Sequence, residues 1–226
     1  MASSADRMAA GAGFGALAKA DELKKRLWFT VGALIIYRLG TYLPLPGIDP
    51  NALADIFSQQ SSGILGMFDM FSGGALGRMT IFALNIMPYI TASIIMQLMT
   101  AIVPSLESLK KDGEAGRKMI NQYTRYLTVL LATVQGYGLA IGLESSANLV
   151  INPGVFFKIS TVSTIVAGTL FLMWLGEQIT QRGIGNGISL IIFSGIVAEI
   201  PRALVTTFEL GRTGAVSTLM ILAIFV

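Results

Sequence analysis

The chain has 226 residues, of which 53% are apolar and 13% are charged, about half the charged fraction that is usual in soluble domains. Its mean hydropathy of +0.68 is typical of a chain built from stretches long enough to cross a bilayer. Cysteine and histidine are absent, which excludes disulfides, thiol chemistry and histidine-ligated metal sites. The composition therefore predicts an all-α membrane protein, a multi-span helix bundle without cofactors, rather than an ordinary hydrolase or metalloenzyme.

The N-terminal part predicts a tail followed by a first membrane span. Residues 1–20 are rich in alanine, glycine and serine, a composition that predicts a mobile cytoplasmic tail. A charged lead-in at 21–26 precedes the first apolar run at 27–43. A secretory signal has the same basic-then-apolar order, but no small-residue cleavage site follows this run, so we expect a retained span.

Further apolar runs predict additional spans. They cover residues 79–103, 126–142, 155–175 and 188–200, the last of which is expected to begin near Gly183 because it is otherwise too short to cross. Pro88 predicts a kink inside the second span, which ends at Pro104. We expect an external loop at 201–214 and an incomplete sixth helix at 215–226. Because the sequence stops inside that apolar run, it predicts a piece of a longer protein.

The basic residues predict the orientation of these spans. With the N-terminus inside, eleven lysines and arginines lie on that side and three on the other, as the positive-inside rule requires of a cytoplasmic N-terminus. Five of the eleven belong to the polar segment 105–125, which serves either topology alone or the docking of a cytosolic partner. These five are Lys110, Lys111, Arg117, Lys118 and Arg125.

A short apolar segment at 63–74 is too short to cross the membrane. Helical spacing places four of its apolar residues on one face, with Ser62 as a cap and Gly73 and Gly74 as a terminating hinge. The segment is either an amphipathic helix at the outer interface or a movable element folded back into the membrane, and physics alone leaves both open. Its larger apolar residues are Ile64, Leu65, Met67, Phe68, Met70 and Phe71.

Polar residues inside the spans are few. Arg38 is expected to snorkel from the outer end of the first span, and the middle of the later spans carries no acidic residue or lysine, which weighs against an ion-coupled carrier. Gln97 and Gln135 need partners in hydrocarbon, so the second and third spans are expected to face each other or a third helix. Isoleucines four apart, at 86 and 90 and at 188 and 192, share a helix face, a pattern that alone is nearly uninformative.

Five motifs in this order resemble the SecY family of bacterial protein-translocation channel subunits, related to Sec61-alpha. They are PLPGID at 44–49, MFSGGAL at 70–76, IMPYI at 86–90, QYTRY at 122–126 and the long MWLGEQITQRGIGNGIS at 173–189. The resemblance implies a ten-helix channel of two inverted five-helix halves. This chain would be the first half, residues 21–200, plus the start of the sixth helix.

The resemblance also implies roles for particular residues. Segment 63–74 would be the plug that closes the pore, and Ile86, Ile90, Ile188 and Ile192 would belong to its apolar ring. Stiff apolar side chains block ions by dewetting and contact a passing polypeptide without sequence preference. The second and third helices would form one wall of a lateral gate, with Thr91 and Gln135 as its polar contacts.

The implied partners are those of a translocase. They are the small membrane subunits SecE and SecG, the SecA motor or the ribosome on the cytoplasmic side, signal sequences and nascent chains, the lipid bilayer, and the C-terminal half of the channel. The resemblance implies a multi-pass protein of the bacterial inner membrane and a passive, non-enzymatic channel. The alternatives are half of a secondary transporter, or a structural membrane subunit.

Overall fold

The computed structural model describes residues 21–49, 52–53, 69, 72–146 and 149–212, and within these it is all-helical apart from turns and two isolated β-bridges. The predicted tail at 1–20 and the incomplete sixth helix at 215–226 lie outside the described residues. The helices are α1 (Asp21–Gly40), α2 (Met87–Ile102), α3 (Pro104–Lys111), α4 (Gly113–Ser145), α5 (Val155–Arg182) and α6 (Gly187–Arg212).

Helix α1 ends three residues before the first apolar run does. Gly40 lies against the ring of Phe82, where a side chain would collide with the aromatic carbons. The Thr41 hydroxyl donates to the Arg38 carbonyl at 2.7 Å and so satisfies one of the last carbonyls of the helix. The charged lead-in is part of α1, which therefore carries basic residues at both ends.

The second apolar run is only partly helical, and the predicted kink at Pro88 is wrong. Residues 72–86 form a series of turns, and α2 begins at Met87 with Pro88 in its first turn. Proline suits that position because its missing N–H would have no helical partner there, while it disfavours helix in the residue before it. Pro104 does not simply end the run either, because it opens α3, which is bent by 99° from α2.

The later helices are longer than the apolar runs predicted. The polar segment 105–125 is helical in α3 and in the first part of α4. Helix α6 begins at Gly187 rather than near Gly183, because the Asn186 side chain caps it by accepting from the Ile188 and Ser189 N–H groups at 3.0 and 3.2 Å. It continues to Arg212 with Pro201 inside, so residues 201–212 are helix and not the predicted external loop.

Three described helices are long and apolar enough to cross a membrane. They are Gly113–Ser145, Val155–Arg182 and the part Gly187–Thr206 of α6, and the bent pair α2 and α3 makes a fourth if it is counted as one span. Helix α1 does not meet the same test, because basic residues at both ends lie within every stretch of spanning length.

The helices pack through stripes of small buried residues. In α2 the buried residues recur every four positions, and α4, which packs on both α2 and α5, carries a similar stripe of threonine, alanine and glycine. Small residues let membrane helices approach closely. The stripes are Pro88, Ala92, Met96 and Thr100 in α2, and Thr124, Thr128, Ala132, Gly136 and Ala140 in α4.

Residues 41–49 connect two distant parts of the chain. The Leu45 N–H donates to the Met79 carbonyl at 2.9 Å, and the Asp49 N–H donates to the Leu149 carbonyl at 3.0 Å. Leu45, Met79 and Leu149 are buried in one cluster with Phe157 of α5. These contacts position the irregular segment 72–86 against α1 and α5, where the candidate site is found.

Candidate functional site

The four predicted ring isoleucines share one apolar core. Ile86 closes the irregular segment and is fully buried, while Ile90, Ile188 and Ile192 are half-buried and pack against the same core. Ile90 lies in the first turn of α2, and Ile188 and Ile192 lie in the first two turns of α6. The beginnings of two helices that are far apart in sequence therefore present isoleucine to one place.

The cluster is supported from behind by α1 and α5. Tyr37 of α1 and Leu172 and Ile179 of α5 are fully buried in it. The ring of Phe82 stacks on Tyr37 at 6.1 Å between centroids and on Phe171 at 6.0 Å. Stiff side chains with this support offer no group that would replace the hydration shell of an ion. We call Ile86, Ile90, Ile188 and Ile192 the isoleucine cluster.

Two arginines converge on one backbone carbonyl beside this cluster. Arg38 Nη1 of α1 donates to the Gly73 carbonyl oxygen at 2.8 Å, and Arg78 Nη2 donates to the same oxygen at 2.9 Å. Both guanidinium groups lie near the ring of Tyr42, with Cζ to centroid distances of 5.2 Å for Arg38 and 4.5 Å for Arg78. Cation–π attraction and the shared acceptor offset the repulsion between the two cations. We call Arg38, Tyr42, Gly73 and Arg78 the arginine clasp.

Side chains on both sides of the clasp hold the turn that contains Gly73. Asp69 Oδ1 accepts from the Gly77 N–H at 2.6 Å, and the Ser72 hydroxyl accepts from the Leu76 N–H at 3.1 Å. The Tyr37 hydroxyl donates to the Ser72 carbonyl at 3.3 Å, which ties the turn to α1. The turn is therefore attached to α1 on the same side as the arginine.

Helix α6 closes the other side of this turn. A Cβ atom at Gly73 would lie 3.1 Å from Cα of Gly195, and one at Gly74 would lie 3.0 Å from Oε1 of Glu199 and 3.0 Å from Nη2 of Arg78. Both glycines have positive φ, +64° and +78°, which other residues rarely adopt. Glycine is thus required here for two independent reasons, backbone conformation and lack of space.

The predicted plug falls largely outside the described residues. Ile64, Leu65, Met67, Phe68, Met70 and Phe71 all lie there, so the choice between plug and interfacial helix stays a prediction. At the described end of the segment, Gly73 and Gly74 have left-handed backbone conformations, and their role as a terminating hinge stays a prediction. The expectation that Arg38 snorkels stays a prediction, and the structure adds that its guanidinium binds the Gly73 carbonyl.

The two predicted gate residues do not contact each other through a hydrogen bond within the part of the chain that the structure covers. The Thr91 hydroxyl is exposed and donates to the Met87 carbonyl of its own helix at 3.1 Å, while Gln135 is half-buried in α4. Gln97 likewise donates within α2, to Ser93 at 3.3 Å. Helices α2 and α4 do pack together, but through small residues rather than paired amides.

The five predicted docking residues are all exposed, yet they differ in their partners. Arg125 makes a bidentate ion pair with Glu177 of α5, with N–O distances of 3.0 and 2.7 Å, and Lys111 pairs with Glu107 at 2.7 Å. Lys110 and Arg117 line a groove of about 250 Å³ between α2 and α4, and Lys118 is exposed on α4. Arg125 thus joins two helices, whereas the other four extend from α3 and α4.

Across the described ranges, no group of three histidine, cysteine, aspartate or glutamate residues lies close enough to hold a metal ion. The site is therefore an apolar cluster bordered by a charged clasp. The isoleucine cluster and the arginine clasp are both built in part from the irregular segment 72–86, and both contact α6.

A comparison with known families agrees with this geometry. The family model described as SecY matches residues 80–226, which include both pairs of isoleucines. The chain belongs to the SecY family. It is 59% identical over 208 residues to the protein translocase subunit SecY of Rickettsia bellii and 55% identical over 208 residues to that of Escherichia coli K12.

These SecY relatives are about twice as long as the chain. The matches cover 90% and 91% of this chain but 48% and 47% of the two relatives, so the chain spans about half of their length. Among solved structures it is similar to "The structure of a protein conducting channel" and to "Sec61 in the Canine ribosome-channel complex from the endoplasmic reticulum". For both, the TM-score is 0.58 at 22% identity over 84% of this chain and 38% of the other. The fold is therefore that of the first part of such channels.

Sequence reasoning missed the clasp in this SecY-family chain. Arg38 and Arg78 are noticeable in the sequence, since they lie in or beside apolar runs and need a partner. Their acceptor is a backbone carbonyl, however, which leaves no trace in the choice of side chain. Glu199 lies near the end of the fifth apolar run, and no sequence pattern indicates that it approaches Gly74.

Proposed function

We propose that this chain is the N-terminal half of the pore-forming subunit of a protein translocase in the bacterial inner membrane. It contributes half of a passive, gated path for unfolded secretory polypeptides, and its N-terminus is cytoplasmic. The observation that carries the proposal is that Ile86, Ile90, Ile188 and Ile192 share one apolar core in a chain of the SecY family. An apolar constriction without polar groups excludes ions by dewetting yet accepts any extended polypeptide.

The rest of the proposal follows the resemblance. Segment 63–74 closes the path as a plug, and helices α2 and α4 form one wall of a lateral gate, with Thr91 and Gln135 at its contacts. The exposed Lys110, Lys111, Arg117 and Lys118 dock the SecA motor or the ribosome, while Arg125 supports them by joining α4 to α5. SecE, SecG and the C-terminal half complete the channel. No residue has a catalytic role, so the motor or the ribosome supplies the driving force.

Photo-crosslinking tests the placement of the path. A crosslinking residue is placed at Ile90, and separately at Ile192, in the full-length protein while a secretory chain is stalled in transit. We expect adducts from both positions, lost when the signal sequence is destroyed. The matched control is Ile159, an isoleucine of α5 that is 64% exposed and lies outside the cluster.

Three outcomes of that experiment would contradict the proposal. Absence of adducts at both cluster positions, with the substrate engaged elsewhere, would move the path away from the isoleucines. Equal labelling at Ile159 would show that the substrate is near the chain without following the cluster. Adducts that persist after the signal sequence is destroyed would show that the labelling does not come from a chain in transit.

A further inference from the structure

The isoleucine cluster and the arginine clasp lie along one face of α6. Ile188, Ile192, Gly195 and Glu199 are spaced by four, three and four residues, and such spacing places them in one stripe along a helix. The first two residues pack in the cluster, and the last two approach Gly73 and Gly74. A single rigid element therefore connects the cluster to the clasp.

The irregular segment provides a second connection between the same two places. Gly73 and Gly74 lie at its beginning and Ile86 lies at its end. Between them, Ala75 and Phe82 are buried in the same core as Ile86, and the Thr80 N–H donates to the Ala75 carbonyl at 3.0 Å. Because this core is well packed, a shift at the glycines is transmitted to Ile86 rather than absorbed.

The arginine clasp lies where the irregular segment 72–86 approaches α6. Arg38 reaches Gly73 from α1 and Arg78 reaches it from within the segment, while Gly195 touches Gly73 from α6. Arg78 Nη2 and Glu199 Oε1, of opposite charge, would each lie 3.0 Å from a Cβ atom placed on Gly74. Charge-assisted hydrogen bonds are the strong ones. The carbonyl of Gly73 is therefore the point at which α1 is joined to the segment, and α6 packs against the same glycine through Gly195.

We propose that Arg38 and Arg78 are positioning residues for the pore: by fixing Gly73, which packs against Gly195 of α6, they keep Ile86 and the isoleucines of α2 and α6 in place around one core in the resting channel. The proposal rests on the proposed function and deepens it. The clasp touches neither the passing chain nor an ion; it acts through Gly73 and the shared face of α6. Release of the clasp lets the segment that ends at Ile86 separate from Ile188 and Ile192.

The first test removes the donors. Arg38→Gln, Arg78→Gln and the double variant are made in the full-length protein, assembled with its companion subunits, and resting ion conductance is recorded in planar bilayers. We expect each single variant to shift the closed-to-open ratio about ten-fold toward leak, as expected for one lost charge-assisted hydrogen bond. Arg182→Gln is the matched control, because Arg182 is exposed at the end of α5, far along the chain from the clasp.

The second test changes the acceptor residue, Gly73, and leaves both arginines in place. Gly73→Ala would place a Cβ 3.0 Å from Arg38 Nη1 and 3.1 Å from Cα of Gly195, at a φ that alanine rarely adopts. It should therefore also raise the resting conductance while both arginines remain. Gly138→Ala is its control, because a Cβ at Gly138 of α4 meets nothing within 4 Å.

A structural readout keeps the proposal testable if a variant conducts poorly for other reasons. The 226 residues contain no cysteine. Leu39→Cys of α1 and Val197→Cys of α6, made in the full-length protein after any cysteine outside these residues is replaced, carry spin labels that report the distance between the two helices. Both side chains are exposed, which limits disturbance of the core. We expect the double arginine variant to lengthen or broaden this distance distribution and Arg182→Gln to leave it unchanged.

The outcomes separate this inference from the proposed function. An Ile86→Gly, Ile90→Gly variant serves as the reference for leak. If it leaks while the clasp variants conduct as the parent does, the positioning role is overturned and the channel proposal stands, whatever the spin-label distance. An unchanged distance in the double variant overturns the joining of α1 to α6. If the isoleucine variant does not leak either, the proposed pore is misplaced and the positioning role falls with it.

Discussion

The isoleucine cluster and the arginine clasp are neighbours that are built by opposite chemistry. The cluster is held by the packing of apolar side chains, which is non-directional and sums many small dispersion contacts. The clasp is held by two guanidinium groups on one carbonyl oxygen, at 2.8 and 2.9 Å, where a small displacement breaks the bond. The cluster should therefore tolerate exchanges of similar volume, whereas the clasp should tolerate almost none.

The largest effect on stability is expected from a cavity made in the core that the isoleucine cluster packs against. Leu172 of α5 is fully buried in the same core, and Leu172→Ala should lower the free energy of unfolding by about 2–5 kcal/mol because the core cannot close around the missing atoms. The measurement is denaturant unfolding of the full-length protein in detergent, followed by circular dichroism. Leu130→Ala is the control, since Leu130 is 58% exposed; equal losses for the two leucines would contradict the role of the core.

A smaller effect is expected from crowding the same core. A Cβ at Gly168 of α5 would meet the Ile81 carbonyl oxygen and lie 3.2 Å from the Phe82 ring. Gly168→Ala should therefore cost about 1–3 kcal/mol, because backbone rather than a flexible side chain has to move. The thermal midpoint in detergent measures this, with Gly138→Ala for comparison. A Gly168→Ala protein as stable as the Gly138→Ala protein would mean that α5 and segment 72–86 are not in close contact.

The smallest effect is expected from an arginine outside the clasp. Arg125 pairs with Glu177 through side chains that are 48% and 23% exposed, and exposed ion pairs contribute only about 0.2–1 kcal/mol. Arg125→Gln should change the unfolding midpoint slightly, and the change should vanish at high salt. Arg78→Gln, which removes a partly buried donor, should cost more and depend less on salt. Equal salt dependence of the two variants would remove the distinction between the clasp and a surface pair.

The helices show how far apolar patterning reaches. Runs of apolar residues predicted the positions of α4, α5 and α6, because a helix that crosses a bilayer needs a long apolar stretch. They failed where the chain changes direction among apolar residues: 79–86 is a series of turns, and Pro88 opens a helix instead of bending one. Apolar periodicity cannot distinguish helix from buried turns, because both require burial of the same side chains.

The candidate site was likewise predictable only in part from the sequence. The spacing of isoleucines 86 and 90, and of 188 and 192, is visible in the sequence, but the spacing alone does not say that the two pairs meet. Their meeting depends on the Asn186 cap that begins α6 and on the turns that bring Ile86 to α5 and α6. Their role in a pore remains the family's implication and awaits crosslinking.

The sequence by itself determined the class of this protein, a multi-span helical membrane protein, and, through its motifs, its family. These properties depend on side-chain composition and order, because the apolarity of each segment governs whether that segment enters the bilayer. Only the tertiary structure decided that Arg38 and Arg78 share the carbonyl of Gly73 and that Gly195 and Glu199 of α6 close around the same turn. The acceptor is a backbone atom, common to every residue, so its choice depends on folding geometry and not on residue type.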